Sequence, residues 1–549
     1  MGSALQNLAG AGWSFRFGFV LLALALLWAA QNFFTQKSAL VMPPTTKRPL
    51  LFQSIRFVLN FCAAVALILF CSRPLLATLL AFDVVLSVLI LAYNHYFHHA
   101  FSVCYGLKSS RESFQVSALA LRVISRTEWL VLGGILAAEI LLVSALGPKP
   151  TRCCGLVAGG CALVMALMLL TLQRSSFDFA SIRSTRVTRA VFVYGYFTSW
   201  LAEFCVAPDT RELARELAEL QRDSTDRLSA AEAPWPFGSK IAVVQMESWD
   251  WNILNFRLEG QEVTPELNRL ARSSRLFKLQ AFHHVASLDM DYAALSGGAP
   301  SKRMVSYLVP DINYANALPR FLQRQGFHTA ALHGNSGEFF NRRNNYSRMG
   351  FNELWFQEEF RGLRVSRSYW GVRDEEIFRI SSEKLRATNR PEFHFIITLD
   401  SHVPFDLLNE AEKELFPRTR GWHENFFNSM RLLDRTVDNY IKSLPLGTLV
   451  ILYGDHTSGV NYGDFRSARE GSAEFVPCLV HVCQVPLPAA AQASEPEMLP
   501  MDLRILDVMN CLRRQIAARR QPISAISEPV RSRNPAEPPA LAIEASQLT

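Results

Sequence analysis

Hydrophobic and polar positions divide this chain into two unlike halves. Up to about Leu172 the sequence is dominated by long apolar runs, and five of them approach or exceed the roughly 20 residues with which a helix crosses a bilayer. They lie at Trp13–Phe34, Leu50–Phe70, Leu75–Phe97, Trp129–Leu146 and Cys154–Leu172. Trp28-Ala29-Ala30 places small residues after the first run, as a signal peptide would, but the four later runs keep the chain in the membrane either way. An odd number of spans sets the two chain ends on opposite sides. With the N-terminus inside, the outside loops hold Lys37, Lys47, Arg48, Lys108, Arg111, Arg122 and Arg126, and the inside segments hold Arg16, Arg73, Lys149 and Arg152. That bias runs against the positive-inside rule, and only the chemistry below favours an external C-terminal domain.

The predicted spans also contain Arg56, Asp83 and Glu139. Ionisable groups at such depth are costly unless paired or turned to a polar cavity. They read as a polar site for a lipid head group, as groups that neutralise one another inside the bundle, or as groups placed nearer an interface than these bounds draw them.

Residues 174–238 form a connector. Leu213, Leu217 and Leu220 recur at helical spacing among Arg211, Glu212, Arg215, Glu216 and Glu219, which predicts an amphipathic helix lying along the membrane or against the following domain. Pro234-Trp235-Pro236 ends it. Beyond Gly238 short β-branched and aromatic runs alternate with helical stretches. Strands are predicted at Lys240–Met246, His328–Leu332, Phe393–Leu399, Thr448–Tyr453 and Phe475–Val482, with helices at Thr264–Arg272 and Ala317–Gln325. Such alternation predicts an α/β domain around a mainly parallel sheet. After Gln521 the chain is rich in Pro, Ser and Ala and reads as a disordered tail. The organisation expected is a transmembrane domain over 1–173, a linker over 174–238, a catalytic domain over 239–520 and a tail over 521–549.

Composition changes this picture little. The mean hydropathy of +0.10 averages two opposite halves. A net charge of +7 fits anionic lipid as readily as ordinary surface, and no basic stripe argues for nucleic acid. Six of the ten cysteines (Cys62, Cys71, Cys104, Cys153, Cys154, Cys161) lie in or beside apolar runs, and the other four show no metal-type spacing.

Polar residues collect at strand ends: Glu247 after the first strand, His333 after the second, Asp400 and His402 after the third, Asp455 and His456 after the fourth. In open α/β sheets ligands bind beyond the carboxyl ends of the strands, so these residues can converge. Glu247, Asp455 and His456 offer two carboxylates and an imidazole, a hard metal set that lacks a fourth ligand. A hydroxyl in the segment from His283 to Tyr292 would serve, although residue type alone does not single out Ser287 among the serines.

These pieces, taken in order, resemble the lipoteichoic-acid-synthase-like branch of the alkaline phosphatase/sulfatase superfamily. The resemblance runs from about Lys240 to Val482 through Gln245-Met246-Glu247-Ser248, Glu262-Val263-Thr264-Pro265-Glu266-Leu267-Asn268, Ser287-Leu288-Asp289-Met290-Asp291-Tyr292, His333-Gly334-Asn335, Phe340-Asn341-Arg342, Ser401-His402-Val403-Pro404-Phe405 and Tyr453-Gly454-Asp455-His456. It implies a membrane domain of about five helices followed by a sulfatase-type α/β domain. It implies Glu247, Ser287, Asp455 and His456 as ligands of one divalent ion, Mn²⁺ ahead of Mg²⁺ or Zn²⁺, with Ser287 as nucleophile where those enzymes use threonine. It implies a head-group pocket at His333, Asn335, Phe340, Arg342 and His402. Asn335 stands where those enzymes have aspartate and Phe340 where they have tryptophan, which affects head-group identity because phenylalanine lacks the indole donor. The activity implied is transfer of phosphoglycerol from a membrane phospholipid to a hydroxyl on an envelope glycan or glycolipid, through a phosphoserine ester, outside the cytoplasm. Its rivals are phosphoethanolamine transfer, phosphodiesterase or sulfatase-type hydrolysis, and an inactive scaffold for envelope assembly. The nucleophile segment lacks the Cys/Ser-x-Pro-x-Arg pattern of a sulfatase that forms formylglycine.

Overall fold

The computed structural model describes residues 15–39, 49–97, 124–146, 157, 159–167, 210–222, 228, 235, 237–283, 287–302, 305–470, 473–483 and 503–518. Helices α1 (Phe15–Ala39), α2 (Pro49–Phe70), α3 (Arg73–Phe97) and α4 (Arg126–Ala145) coincide with the first four apolar runs. Three stretches within them, Phe17–Thr35, Arg73–Ala92 and Arg126–Ala145, are long and apolar enough to cross a membrane, and Phe57–Phe70 is a shorter apolar helix. The fifth run is helical at 157 and 159–167, and its remainder lies outside the described residues. The outer faces of these helices keep apolar side chains exposed, among them Phe19, Phe70, Phe82, Leu130 and Leu141. A surface of that kind suits lipid rather than water. The α/β domain that follows lies outside this apolar layer.

Leu213 and Leu217 of α5 (Thr210–Arg222) are fully buried in the core of the α/β domain. Of the two placements open to this amphipathic helix, the structure gives the one against the domain. Two buried leucines there stabilise the docking by about 1.5–3 kcal/mol each.

The domain itself is built in chain order from β1 (Lys240–Met246), a small hairpin of β2 (Arg257–Leu258) and β3 (Gln261–Glu262), α6 (Pro265–Arg272), β4 (Arg275–Gln280), α7 (Leu288–Ser296), α8 (Leu318–Arg324) and β5 (His328–His333). Then come α9 (Arg342–Met349), β6 (Glu353–Trp355), α10 (Asp374–Arg386), β7 (Glu392–Ile397), α11 (Trp422–Ser443) and β8 (Leu449–Gly454). A second small hairpin, β9 (Asn461–Tyr462) with β10 (Phe465–Arg466), precedes β11 (Arg469–Glu470), β12 (Ala473–Val482) and α12 (Ile505–Ala518). The main sheet has the order β11-β12-β8-β1-β7-β5-β6, with β4 also on β12. β8, β1, β7, β5 and β6 run parallel, and β12 adds antiparallel to β8. Every residue of β1, β7 and β8 is buried, as expected of central parallel strands covered on both faces. Two apolar clusters fill those faces, one around Tyr292, Tyr346 and Phe395, the other around Trp249, Phe426 and Leu452.

A third cluster joins the two halves of the protein. Val84, Leu91 and Ala92 of α3 and Leu132 of α4 pack with Trp370 and Leu399 of the α/β domain, and Phe34 of α1 lies against the same patch. The domain therefore rests at the end where α1 and α3 finish and α4 begins.

Candidate active site

β1 and β8 are neighbours in the sheet, with Met246 paired to Gly454, so the residues following each strand emerge side by side. Gly454 makes this approach possible: a Cβ there would lie 2.2 Å from the Trp249 carbonyl oxygen. Only glycine lets the two backbones meet so closely. Ser248, in the left-handed region at φ 58°, donates its backbone N–H to Asp455 Oδ1 at 2.9 Å and its hydroxyl to Glu247 Oε1 at 3.0 Å. His456 Nε2 lies 3.2 Å from Glu247 Oε1 and 3.7 Å from Asp455 Oδ2. His456 Nδ1 donates to the Thr457 carbonyl at 2.8 Å, which aims Nε2 at the two carboxylates.

The electrostatics of this trio are those of a cation site. Burial pushes the Asp455 carboxyl well above the usual range, and the Glu247 charge pushes it further. Burial also opposes ionisation of Glu247, but His402 and His456 overcome it and hold that carboxyl well below its usual range. Against burial, Asp455 and Glu247 raise the imidazole of His456 to about 10. Asp455 Oδ2 is buried with no hydrogen-bond partner. The ligand atoms of Glu247, Asp455 and His456 all lie within 4.8 Å of one another. Two adjacent buried carboxylates, an oriented imidazole nitrogen and an orphaned carboxylate oxygen fit one divalent ion.

Ser287 stands at the start of α7, partly exposed, and its hydroxyl caps no helix N–H. Residues 284–286 lie outside the described residues. Four positions before Ser287, the ring of His283 stacks on His456 with centroids 4.6 Å apart and planes at 17°.

The proposed pocket residues fare differently. His333, at the end of β5, donates Nδ1–H to the Ile397 carbonyl at 3.1 Å. Burial, then the nearby Arg342 charge, pushes its imidazole down to about 3. Glu247 and His402 act on the same imidazole electrostatically, in opposite directions. Arg342 is itself buried, and its Nε donates to Asp291 Oδ2 at 2.9 Å; Tyr346 holds the same oxygen at 2.7 Å. Asp291 of the Ser287 segment thus fixes the guanidinium of α9. His402 donates Nδ1 to the Val403 carbonyl at 2.9 Å and packs on the Trp370 ring at 4.3 Å. Asn335 turns its side-chain oxygen back to Ser336 N at 2.6 Å. Phe340 is 4% exposed, sits in the left-handed region at φ 53° and belongs to the domain core, so its ring is a packing element.

Asp400, though at a strand end, is tied to Arg373 Nε at 2.8 Å and to Asp374 N at 3.2 Å. Its role is structural. Sequence reasoning overlooked Glu474, His283 and Trp370. The first two form a second cluster with His456, but Glu474 is already committed to Arg469 at 2.7 Å and to Thr457, and His456 Nδ1 to its carbonyl. The pair therefore supports the first cluster rather than holding a second ion.

Residues 239–503 match the Sulfatase family. Lipoteichoic acid synthase 1 of Bacillus subtilis is 28% identical over 250 residues, covering 42% of this chain and 38% of the relative. The lipoteichoic acid synthase of Staphylococcus saprophyticus is 24% identical over 228 residues, covering 39% of this chain and 35% of the relative. The chain thus spans well under half the length of these curated relatives. Among solved structures, the integral membrane protein lipooligosaccharide phosphoethanolamine transferase A from Neisseria meningitidis aligns over 86% of this chain and 89% of its own at TM-score 0.50 and 13% identity. That likeness concerns the fold, and it extends over the helical segment as well as the sheet. Residues 239–503 are a sulfatase-family domain, carried behind apolar helices of membrane-spanning length.

Proposed function

We propose that the protein transfers a phosphoglycerol head group from a phosphatidylglycerol-like membrane lipid to a hydroxyl on an envelope glycan or glycolipid, with Ser287 as the covalent carrier. The observation that carries this reading is the cluster of Glu247, Asp455 and His456 with its orphaned carboxylate oxygen. The lipoteichoic acid synthase relatives favour glycerol phosphate as the group moved.

Glu247, Asp455, His456 and Ser287 would hold one divalent ion, Mn²⁺ by preference, whose Lewis acidity would acidify the serine hydroxyl and offset charge on the phosphodiester. Ser287 Oγ attacks phosphorus while the bond from phosphorus to the diacylglycerol oxygen breaks. The proton lost by the serine ends on the released diacylglycerol. An acceptor hydroxyl then attacks the same phosphorus, the serine–phosphorus bond breaks, and the acceptor's proton returns to the serine. Arg342 carries the phosphoryl charge; with Nε fixed by Asp291, its remaining amino groups are presented in a set orientation. His333, neutral and with Nδ1–H committed to Ile397, offers Nε2 as an acceptor for a head-group hydroxyl. His402 is then the group left to shuttle protons to and from the alcohols.

The apolar helices bring lipid to the domain, and the absence of any nucleotide requirement suits a domain on the periplasmic or extracellular side. The test is intact-mass analysis of the full-length protein after incubation with defined phospholipids and Mn²⁺. Phosphatidylglycerol should leave a glycerol phosphate adduct on Ser287. An ethanolamine phosphate adduct from phosphatidylethanolamine alone would keep the chemistry and replace the substrate. No adduct with any donor would remove the transferase reading.

A further inference from the structure

A loop on the active-site side of the α/β domain keeps apolar and cationic side chains in the open together. β6 ends at Trp355, so the chain beyond it leaves the sheet at the carboxyl ends of the parallel strands, the end that carries Glu247, Asp455 and His456. Among the described residues of this domain three large apolar side chains are prominently exposed: Leu363 and Tyr369, each 48%, and Leu446, 68%. The first two belong to this one loop. It also carries Arg361, Arg364 and Arg367, all exposed.

Backbone hydrogen bonds fix the shape of the loop. Arg367 bridges antiparallel to Val372, and Ser368 N–H donates to the Gly371 carbonyl at 2.7 Å, which closes a tight turn over Tyr369 and Trp370. Val372 N–H donates to the Gly334 carbonyl at 2.9 Å, so the turn is tied to the residue after His333. A Cβ on Gly371 would lie 2.1 Å from that same carbonyl oxygen, and only glycine allows the approach. Further back, the Phe360 carbonyl accepts Leu363 N–H at 3.2 Å and Arg367 Nη2 at 2.7 Å, which draws an apolar and a cationic position together.

Position and charge say what meets this patch. Trp370 packs in one cluster with Val84, Leu91 and Ala92 of α3 and Leu132 of α4, and its ring lies 5.9 Å from that of Tyr369. The exposed tyrosine therefore stands beside the apolar helices, where aromatic side chains collect at a membrane interface. Among the described residues none of the three arginines pairs with a carboxylate. Two carboxylates that touch the loop are engaged otherwise: Glu376 accepts from Ser366 N–H and pairs with Arg379 at 3.0 Å, and Asp406 takes the Tyr369 hydroxyl. Such a patch matches a surface that is anionic at its face and apolar just beneath it.

We propose that the loop from Arg361 to Trp370 is a membrane-docking element. It sets Leu363 and Tyr369 into the head-group layer and rests its three arginines on anionic phospholipid. Because Trp370 packs on His402 at 4.3 Å, docking holds the His402 side of the site over the lipid surface. The inference rests on the helices crossing a membrane and not on the chemistry of Ser287.

The test is hydrogen–deuterium exchange of the full-length protein in nanodiscs of phosphatidylcholine, alone or with phosphatidylserine as about a third of the lipid. Phosphatidylserine is anionic but is not the proposed donor. It should slow exchange of the peptide spanning 361–372 about tenfold, and about 0.5 M NaCl should reverse the slowing. R361S/R364S/R367S should abolish the slowing, and R361K/R364K/R367K should keep it. Equal exchange in the two lipids, or slowing that persists in the serine variant, overturns the proposal. Equal slowing of the peptides that carry Ser287 and His456 would report lipid entering the active site, and would also overturn a separate docking loop. Protection that ignores lipid charge but appears with a second copy in the disc would assign the patch to protein instead. If the serine variant does not fold, the lipid and salt dependence of the unmutated protein decides.

Discussion

Glu474 grips Thr457 twice, accepting from its backbone N–H and from its hydroxyl, each at 3.0 Å. Thr457 directly follows Asp455 and His456, so the grip fixes the loop that presents two of the proposed metal ligands. The same carboxylate holds His283 Nδ1 at 3.2 Å, and His283 stacks on His456. One residue of β12 thereby joins the metal loop to the segment leading to Ser287.

This relationship gives a prediction about metal affinity. Glu474→Gln keeps the shape of the side chain but loses the charge that holds His283 and Arg469. Partners that orient metal ligands typically contribute 10–100-fold in affinity. The variant should fold and bind Mn²⁺ about 10–100-fold more weakly by calorimetric titration, whereas alanine at Glu247, Asp455 or His456 should abolish stoichiometric binding. Wild-type affinity in Glu474→Gln would show that the grip matters only for the loop's own fold.

His333 provides a test in pH. Its folded-state imidazole is pushed from the ordinary 6.5 down to about 3, by burial and then by Arg342. A histidine whose pKa is depressed by folding binds more protons when unfolded. Its contribution is intact above about pH 6.5 and is lost progressively as pH falls towards 3. The full-length protein should therefore lose Tm between pH 7 and pH 5 more steeply than His333→Gln, which has no such group. Parallel Tm profiles would mean that His333 takes up its proton in the folded state over the same pH range as in the unfolded chain.

Much of this architecture was legible in the sequence, for identifiable reasons. β1, β5, β7, β8 and β12 are mostly apolar or β-branched, as burial on both faces favours. β4 was not legible: Arg275-Leu276-Phe277-Lys278-Leu279-Gln280 mixes polar with apolar residues without a regular period, and β6 spans only three residues. The strand-end rule found Glu247, Asp455 and His456 because parallel neighbours must release their ends together. The same rule also selected Asp400, because it cannot see that Arg373 lies opposite. Glu474 and His283 stand 191 positions apart and carry no local signature; only the antiparallel pairing of β4 with β12 brings them together.

Topology offers a sharper conflict. The loop charges place the α/β domain inside, whereas phospholipid chemistry without nucleotides places it outside. The packing of Trp370 and Leu399 on α1, α3 and α4 sets the domain at the end where α1 finishes, without naming the compartment. A reporter active only after export, fused near residue 240, should be active. An alkaline phosphatase fusion that is silent beside an active cytoplasmic reporter at the same position would reverse the orientation and remove the envelope acceptor with it.

The decisive prediction concerns Ser287. It stands at the first turn of α7, its hydroxyl uncommitted to capping, four residues after the histidine that stacks on His456. In the same segment, Asp291 fixes Arg342 from below. One short stretch therefore carries the proposed nucleophile and positions the group that would receive the phosphoryl charge. Double displacement requires an ester on Ser287, whereas direct hydrolysis by water does not. Ser287→Ala should lower donor-lipid turnover at least about 10³-fold while leaving the fold, measured by Tm, within a few degrees of wild type. Ser287→Thr should keep part of the activity, since it restores the hydroxyl and adds only a methyl at a partly exposed position. The comparison separates two failures. If Ser287→Ala still cleaves donor lipid at the wild-type rate, the serine is not the nucleophile and transfer through it is wrong. If both variants are inactive but bind Mn²⁺ normally, the hydroxyl is needed in one exact orientation, and the methyl of threonine displaces it.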